Sequence, residues 1–365
     1  MNINLLEKLD RIHPYPAKYT VNLAIEYIEK YTKENDVVYD PFVGSGTTLL
    51  AAKYLKRNSF GTDINFIAIL ISEFKVLDLS LDNINNLKVF ISNFEKNYLE
   101  QCENIETFNY PSIDHWFCED SIKVLSFIKK MINGVSNEKE KTFCELIFSS
   151  IINTASNQES DTRYAAIAKP KLNRKYVGEI FIKKFNASIK LFEDIGEDLK
   201  TDKTNIPYLL DSKKCEEKIR NNSVDLVLTS PPYPNTYDYY LYHKHRMNWL
   251  GFDVKFSMET EIGSRREFSS LKHPKEKFDN DMFEILSHVN NVLKVGGHAV
   301  LVMGDGKIQG KTYEAKSNME RLCSKLNWKL IDYSYSMLDD TSRSFIQSYR
   351  TKGKKEHILV FKKEK

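Results

Sequence analysis

Three short stretches carry residue types that could do chemistry together. Asp40-Pro41-Phe42-Val43-Gly44-Ser45-Gly46-Thr47-Thr48 places a glycine turn immediately before a helix-prone run. Glycines let a backbone approach a ligand closely. The helix that follows offers N–H groups and a positive dipole end to a carboxylate or phosphate. By itself such a turn is as often only a turn. Asp63 lies about twenty residues on, where an acid can accept hydrogen bonds from both hydroxyls of a ribose. The pair favours a cofactor that contains a nucleoside. A Walker-type phosphate loop does not fit, because no Gly-Lys-Ser/Thr follows. Leu49 stands where the pattern Gly-x-Gly-x-x-Gly needs its third glycine, which disfavours a nicotinamide enzyme. The third stretch is Ser230-Pro231-Pro232-Tyr233. Its prolines fix the backbone and remove two N–H donors, leaving carbonyl acceptors, a hydroxyl and an aromatic ring. That set suits a flat substrate bearing an amino group, with Tyr233 stacked on its face. A proline turn with a buried tyrosine is the plainer alternative.

These residues must be held by elements, and the pattern around them is that of a parallel α/β sheet. Val37-Val38-Tyr39 reads as a strand, Thr47 to Lys56 as a helix, and Ser59 to Asp63 as a second strand ending on an acid. From about Lys75 to Asn205 the alternation stops. Helical spacing of Ile, Leu, Val and Phe runs through 82–100, 120–132 and 138–155, with no strand expected between them. The rhythm returns with the apolar strand Val224 to Leu228, which leads into Ser230. A helix around 278–293, a strand over His298–Met303, a helix near 313–326 and strands near 328–336 and 357–361 follow. The expected fold is a doubly wound, mostly parallel α/β sheet of Rossmann-like methyltransferase type, interrupted by a helical insertion. Its expected parts are 1–75 with the cofactor loop, 76–205 as the insertion, and 206–365 with the catalytic loop. A two-domain chain, or one large domain with an insertion, also agrees with the length of 365 residues.

At this point the sequence resembles the amino-methyltransferases of DNA that use S-adenosylmethionine. Asp-Pro-Phe-x-Gly-Ser-Gly-Thr-Thr is similar to their cofactor loop, and Thr229-Ser230-Pro231-Pro232-Tyr233 to their catalytic motif. Asp211-Ser212 resembles the lead-in to that motif. His13-Pro14-Tyr15-Pro16-Ala17-Lys18-Tyr19 resembles the segment that covers the methionine end of the cofactor. Val295-Gly296-Gly297 before a strand fits the later part of the fold. The similarity spans about 1–75 and 206–365. It implies catalytic roles for Ser230, Pro231, Pro232 and Tyr233. It also implies cofactor contacts from Tyr15, Pro16, Ala17, Lys18, Asp40, Pro41, Phe42, Gly44, Ser45, Gly46, Thr47, Thr48, Asp63, Ile64 and Asp211.

An exocyclic amino nitrogen is a poor nucleophile, because its lone pair is delocalised into the ring. Acceptors at Ser230 and the backbone of Pro231 would hold its hydrogens and favour a pyramidal nitrogen, so that positioning and electrostatics supply most of the rate. The base must leave the duplex to reach the loop, at a cost of a few kcal/mol. In the family, serine at the first motif position is more common for cytosine N4, and Asp or Asn for adenine N6. Cytosine N4 in double-stranded DNA is therefore the expected target, with a restriction-modification setting and a cognate restriction endonuclease as the expected context. Adenine N6, an RNA substrate and a non-catalytic DNA-binding subunit are the alternatives.

The net charge of +3, from 53 Lys+Arg against 50 Asp+Glu, first speaks against a polyanionic partner. Its distribution reverses that reading. Residues 163–190 carry eight Lys and Arg against one Glu, a local +7, and 341–365 carry +6, leaving −10 on the rest. Arg163, Lys171 and Arg174 in the first cluster, with Tyr164 and Tyr176 interleaved, and Arg265 and Arg266 after the catalytic motif, are the expected DNA contacts; a solvated surface is the plainer alternative. Ser156 to Arg163 is a candidate recognition loop. No metal is expected. His243 and His245 fall on different helix faces, and the five scattered cysteines include no Cys-x-x-Cys pair. Met1 to Lys8 lacks the apolar core of a signal peptide, and no apolar run approaches the roughly 18 residues that span a bilayer. A cytoplasmic protein with no membrane association is expected.

Overall fold

The computed structural model describes residues 3–16, 18–337 and 355–365. Among these, the strands in chain order are β1 (Val37–Asp40), β2 (Asn58–Asp63), β3 (Gln158–Ser160), β4 (Arg163–Ala166), β5 (Asn205–Leu209), β6 (Val224–Thr229), β7 (Leu293–Gly304), β8 (Gly306–Ile308), β9 (Lys311–Tyr313), β10 (Trp328–Met337) and β11 (Lys355–Lys363). The chain forms two compact units. One comprises Pro16–Ser72, Thr201–Tyr240 and Ser257–Lys365, and the other Met1–Tyr15, Glu73–Lys200 and Leu241–Phe256.

The first unit is built on a sheet of order β10-β11-β7-β6-β1-β2-β5. β5, β2, β1, β6 and β7 pair in parallel, while β11 runs antiparallel to both β7 and β10. The fold is therefore α/β with a mostly parallel, doubly wound sheet. From β1 the chain passes to β2 on one side, and β6 lies on the other. This is the switch point at which open α/β sheets leave a crevice at their carboxyl ends. Val224, Leu226, Val227 and Leu228 of β6 are buried, as expected of a strand covered on both faces.

Some elements of this unit differ from the expected ones. β5 was not expected. Its Pro207 weakens the strand signal but is tolerated at the sheet edge, where β5 pairs only with β2. A helix over Val21–Tyr31, capped by the Thr20 side chain on the Leu23 N–H, also went unread. β7 begins before Gly296-Gly297 instead of after them. The pairing with β6 jumps from Val224↔Leu293 to Leu226↔His298, so the two glycines sit in an irregularity within the strand.

The second unit is mostly helical, with long helices at Leu81–Gln101, Glu119–Asn133, Glu138–Ile152 and Arg174–Ile195. Ile84, Leu87, Ile91, Phe94 and Tyr98 bury one stripe of the first at helical spacing. A capping box between Ser80 and Asn83 starts that helix. Phe94 meets Phe181 edge-on with centroids 5.0 Å apart, and Phe143 meets Phe185 at 5.1 Å. The candidate recognition loop Ser156–Arg163 is not a loop but most of the hairpin β3–β4, a pairing the sequence reading did not expect. The helical unit takes in Glu73–Lys200, where the sequence suggested an insertion over 76–205. The structure also groups Met1–Tyr15 and Leu241–Phe256 with the helices, where Leu6, Leu9, Met247 and Trp249 are buried.

Candidate active site

The glycine turn follows β1 directly. Gly46 has φ +73°, and a Cβ there would come within 2.7 Å of the Ser72 backbone. Both facts require glycine, and the second arises from packing against the protein itself. Gly46 begins the helix Thr47–Tyr54 and gives it no side-chain cap.

Asp40 ends β1 and is 2% exposed. Thr229 Oγ1 at 2.6 Å and the Phe42 N–H at 3.1 Å donate to Oδ1, while the Thr48 hydroxyl and Tyr19 OH donate to Oδ2. Tyr19 OH also shares a hydrogen bond with the Thr48 hydroxyl, so the two hydroxyls and the carboxylate form one cluster. The geometry of Asp40 ties the turn, the following helix and the end of β6 to one point. Burial pushes its carboxyl up to about 6, against the pull of those hydrogen bonds.

Asp63 ends β2. Its Oδ2 accepts from the Gly44 N–H at 3.0 Å and its Oδ1 from the Asn65 N–H at 2.9 Å. The Ile64 N–H is a third backbone donor to this carboxylate, which leaves room for a further donor such as a ribose hydroxyl. Burial raises this carboxyl too, to about 6. Half-buried Ile64 follows directly. Asp211 is engaged in capping, with Oδ1 accepting from the Lys213 N–H at 3.0 Å. Its neighbour Ser212 donates to the Pro41 carbonyl and lies 2.8 Å from Thr62 Oγ1, fastening this segment to the glycine turn after β1 and to β2.

Ser230, Pro231, Pro232 and Tyr233 leave the end of β6. Tyr233 is buried, and its hydroxyl donates to Glu356 Oε1 at 2.8 Å. The loop beyond is braced by residues 261–269. The Asn235 N–H bonds the Gly263 carbonyl at 2.8 Å. Glu261 accepts from the N–H groups of Tyr239 and Tyr240 at 2.8 and 2.9 Å, and burial pushes its carboxyl up to about 8. Arg265 Nε donates to the Thr236 carbonyl at 3.0 Å, and the Arg266 N–H to Asp238 Oδ1 at 3.1 Å. These contacts tie Arg265 and Arg266 to the segment that follows Tyr233.

The upstream segment is divided. Tyr19 and half-buried Lys18 belong to the sheet unit together with buried Pro16, whereas Tyr15 stacks on His243 within the helical unit at 5.3 Å; Ala17 lies outside the described residues. His243 and His245 are both buried, and burial holds each below the usual imidazole range. Among the described residues no group of three His, Cys, Asp or Glu could hold a metal ion.

The basic cluster is partly neutralised. Arg163 pairs with Glu159 at 2.7 Å, and Arg174 with Asp120 at 3.0 Å and Glu103 at 3.3 Å. Burial holds Lys184 at about 8. Lys171 and Lys183 are exposed. Residues 341–354 of the second basic segment lie outside the described residues. Sequence reasoning missed Thr229 and Tyr19 as partners of Asp40, and Glu356 and Gly304 beneath Tyr233. A threonine directly before the motif was the one available signal for the first, and nothing local signals the last two.

Residues 2–73 match the family model described as DNA methylase. The Type II methyltransferase M.MvaI of Kocuria varians is 29% identical over 309 residues, covering 79% of this chain and 67% of that protein. M.MjaII of Methanocaldococcus jannaschii is 23% identical over 398 residues, covering 84% and 74%. M.HindIII of Haemophilus influenzae is 51% identical over a 49-residue stretch, 13% of this chain and 16% of its own length. These matches, beside the geometry of the β1, β2 and β6 ends, make the chain similar to Type II DNA methyltransferases, with the DNA methylase model matching its residues 2–73.

Proposed function

We propose that this protein transfers a methyl group from S-adenosylmethionine to the N4 amino group of cytosine in double-stranded DNA. The supporting observation is the fastening of Thr229 to Asp40, which fixes the start of Ser230-Pro231-Pro232-Tyr233 against the cofactor loop. The residues present fit the cofactor. Asp63 is a carboxylate at the end of β2 that can accept from a ribose hydroxyl, and the start of the helix after Gly46 suits a carboxylate. When bound, S-adenosylmethionine supplies an electrophilic methyl group.

The chain's own part is to hold the base. Ser230 Oγ and the Pro231 carbonyl accept the amino hydrogens, which turns the nitrogen lone pair outward. Tyr233 stacks on the base, and the braced segment 234–240 keeps the loop from relaxing. The helical unit would carry DNA recognition through its hairpin and through Lys171, and the work would be cytoplasmic, beside a cognate restriction endonuclease. Among the described residues no helix is long and apolar enough to cross a membrane. The test is nucleoside mass spectrometry of duplex DNA treated with purified protein and cofactor. N4-methylcytosine is expected; N6-methyladenine as the sole product would overturn the choice of base, and no methylated nucleoside would overturn the activity.

A further inference from the structure

Tyr233 has an unusual seat. Its ring lies over Gly304 of β7 so closely that a Cβ there would meet Cε2 at 2.7 Å and Cδ2 at 2.9 Å. Gly304 is paired across the sheet with Glu356 of β11, the residue whose carboxylate receives the Tyr233 hydroxyl at 2.8 Å. Cross-strand neighbours stand about 5 Å apart with side chains on one face, a span that a phenol ring bridges. The missing side chain of one partner makes room for the ring, and the other partner's carboxylate fixes its far end. Glycine inside a strand often marks such a close approach.

We propose that the cross-strand pair Gly304–Glu356 is a positioning device for the catalytic tyrosine, and that Glu356 also tunes the ring electrostatically. The inference rests on the proposed stacking of Tyr233 on the target base. The base gains positive charge as its amino nitrogen is alkylated and keeps it until that nitrogen releases a proton to water. A phenol whose O–H donates to a carboxylate has an electron-richer face, and an electron-rich face attracts a cationic partner more than a neutral one. Glu356 therefore acts more on turnover than on DNA binding. Burial and the neighbouring carboxylate both raise the Tyr233 phenol well above its usual range, so it stays a neutral donor throughout.

The test measures transfer of labelled methyl from S-adenosylmethionine to unmethylated plasmid DNA, for wild type, Glu356→Gln, Tyr233→Phe and the double variant. Both single variants should lower kcat by about tenfold, from loss of one hydrogen bond to a charged group, with KM for DNA little changed. The double variant should be no slower than the slower single one. Gly304→Ala, which displaces the ring without touching the carboxylate, should lower kcat and raise KM together. Thermal melting and calorimetric cofactor binding establish that each variant is folded. Effects of Tyr233→Phe and Glu356→Gln that multiply, or a Glu356→Gln enzyme with wild-type kcat, would overturn the inference while leaving the proposed activity in place. A wild-type protein that transfers no methyl group to any DNA would overturn the activity itself.

Discussion

At the scale of single residues, buried Asp40 and half-buried Asp63 share one perturbation and serve different ends. Asp40 accepts from side chains of the helix after the turn and of β6, whereas Asp63 accepts from backbone N–H groups. Ribose hydroxyls donate to a carboxylate, so the ionised form of Asp63 is the binding form. Its carboxyl titrates near 6, raised by burial. Affinity for S-adenosylmethionine is therefore complete above that pH and falls as pH drops through it, toward roughly tenfold per unit. Calorimetric titration between pH 5 and pH 8 reads this directly, and a flat profile would show that Asp63 does not meet the ribose. Asp63→Asn should weaken binding about tenfold or more at pH 8 and remove most of the pH dependence. Gly46→Ala acts by another route. The added Cβ meets Ser72 at 2.7 Å in a left-handed conformation, so both stability and cofactor binding should fall. A melting temperature equal to wild type would contradict that.

Among elements, the helical unit is knotted around one buried arginine. Arg246 donates to the Ser149 carbonyl at 3.1 Å and the Tyr242 carbonyl at 3.2 Å, and its guanidinium pairs with Asp161 at the turn of the hairpin β3–β4. Removing one partner of such a pair leaves an uncompensated charge, at a cost of about 3–5 kcal/mol when both are buried. Asp161 is 40% exposed, so Asp161→Ala should cost less, about 1–3 kcal/mol, read in urea unfolding. An unchanged midpoint would show that the hairpin is not anchored there. The knot also illustrates what the sequence could and could not say. Strand and helix periodicity, and the order glycine turn, acid, Ser-Pro-Pro-Tyr, are local patterns, and they placed β1, β2, β6 and their end residues. The ties Asp40–Thr229, Arg246–Asp161 and Tyr233–Glu356 join residues 189, 85 and 123 positions apart, and no local spacing encodes them. β5 and the hairpin β3–β4 escaped notice because a strand carrying proline, and strands of three and four residues, are too short or interrupted to show an apolar alternation.

Over the whole molecule, the net charge of +3 hides an acidic body with basic segments, and the ion pairs decide which cations can face a phosphate backbone. Arg163 and Arg174 are already paired with acids, and Arg265 is turned inward to the Thr236 carbonyl. Lys171 and Lys183 stand exposed. Each cation that neutralises a phosphate contributes about 0.9 to the slope of log affinity against log salt. Lys171→Ala should thus weaken binding to any duplex similarly and make that slope shallower by about 0.9. Arg174→Ala should lower the melting temperature with little change in slope, since its charge is spent on Glu103 and Asp120. Fluorescence anisotropy with one labelled duplex across a salt series separates the two. If Arg174→Ala changed the slope and Lys171→Ala did not, the arginine would have to leave its acids on binding, and the phosphate-facing surface would be the ion-paired one.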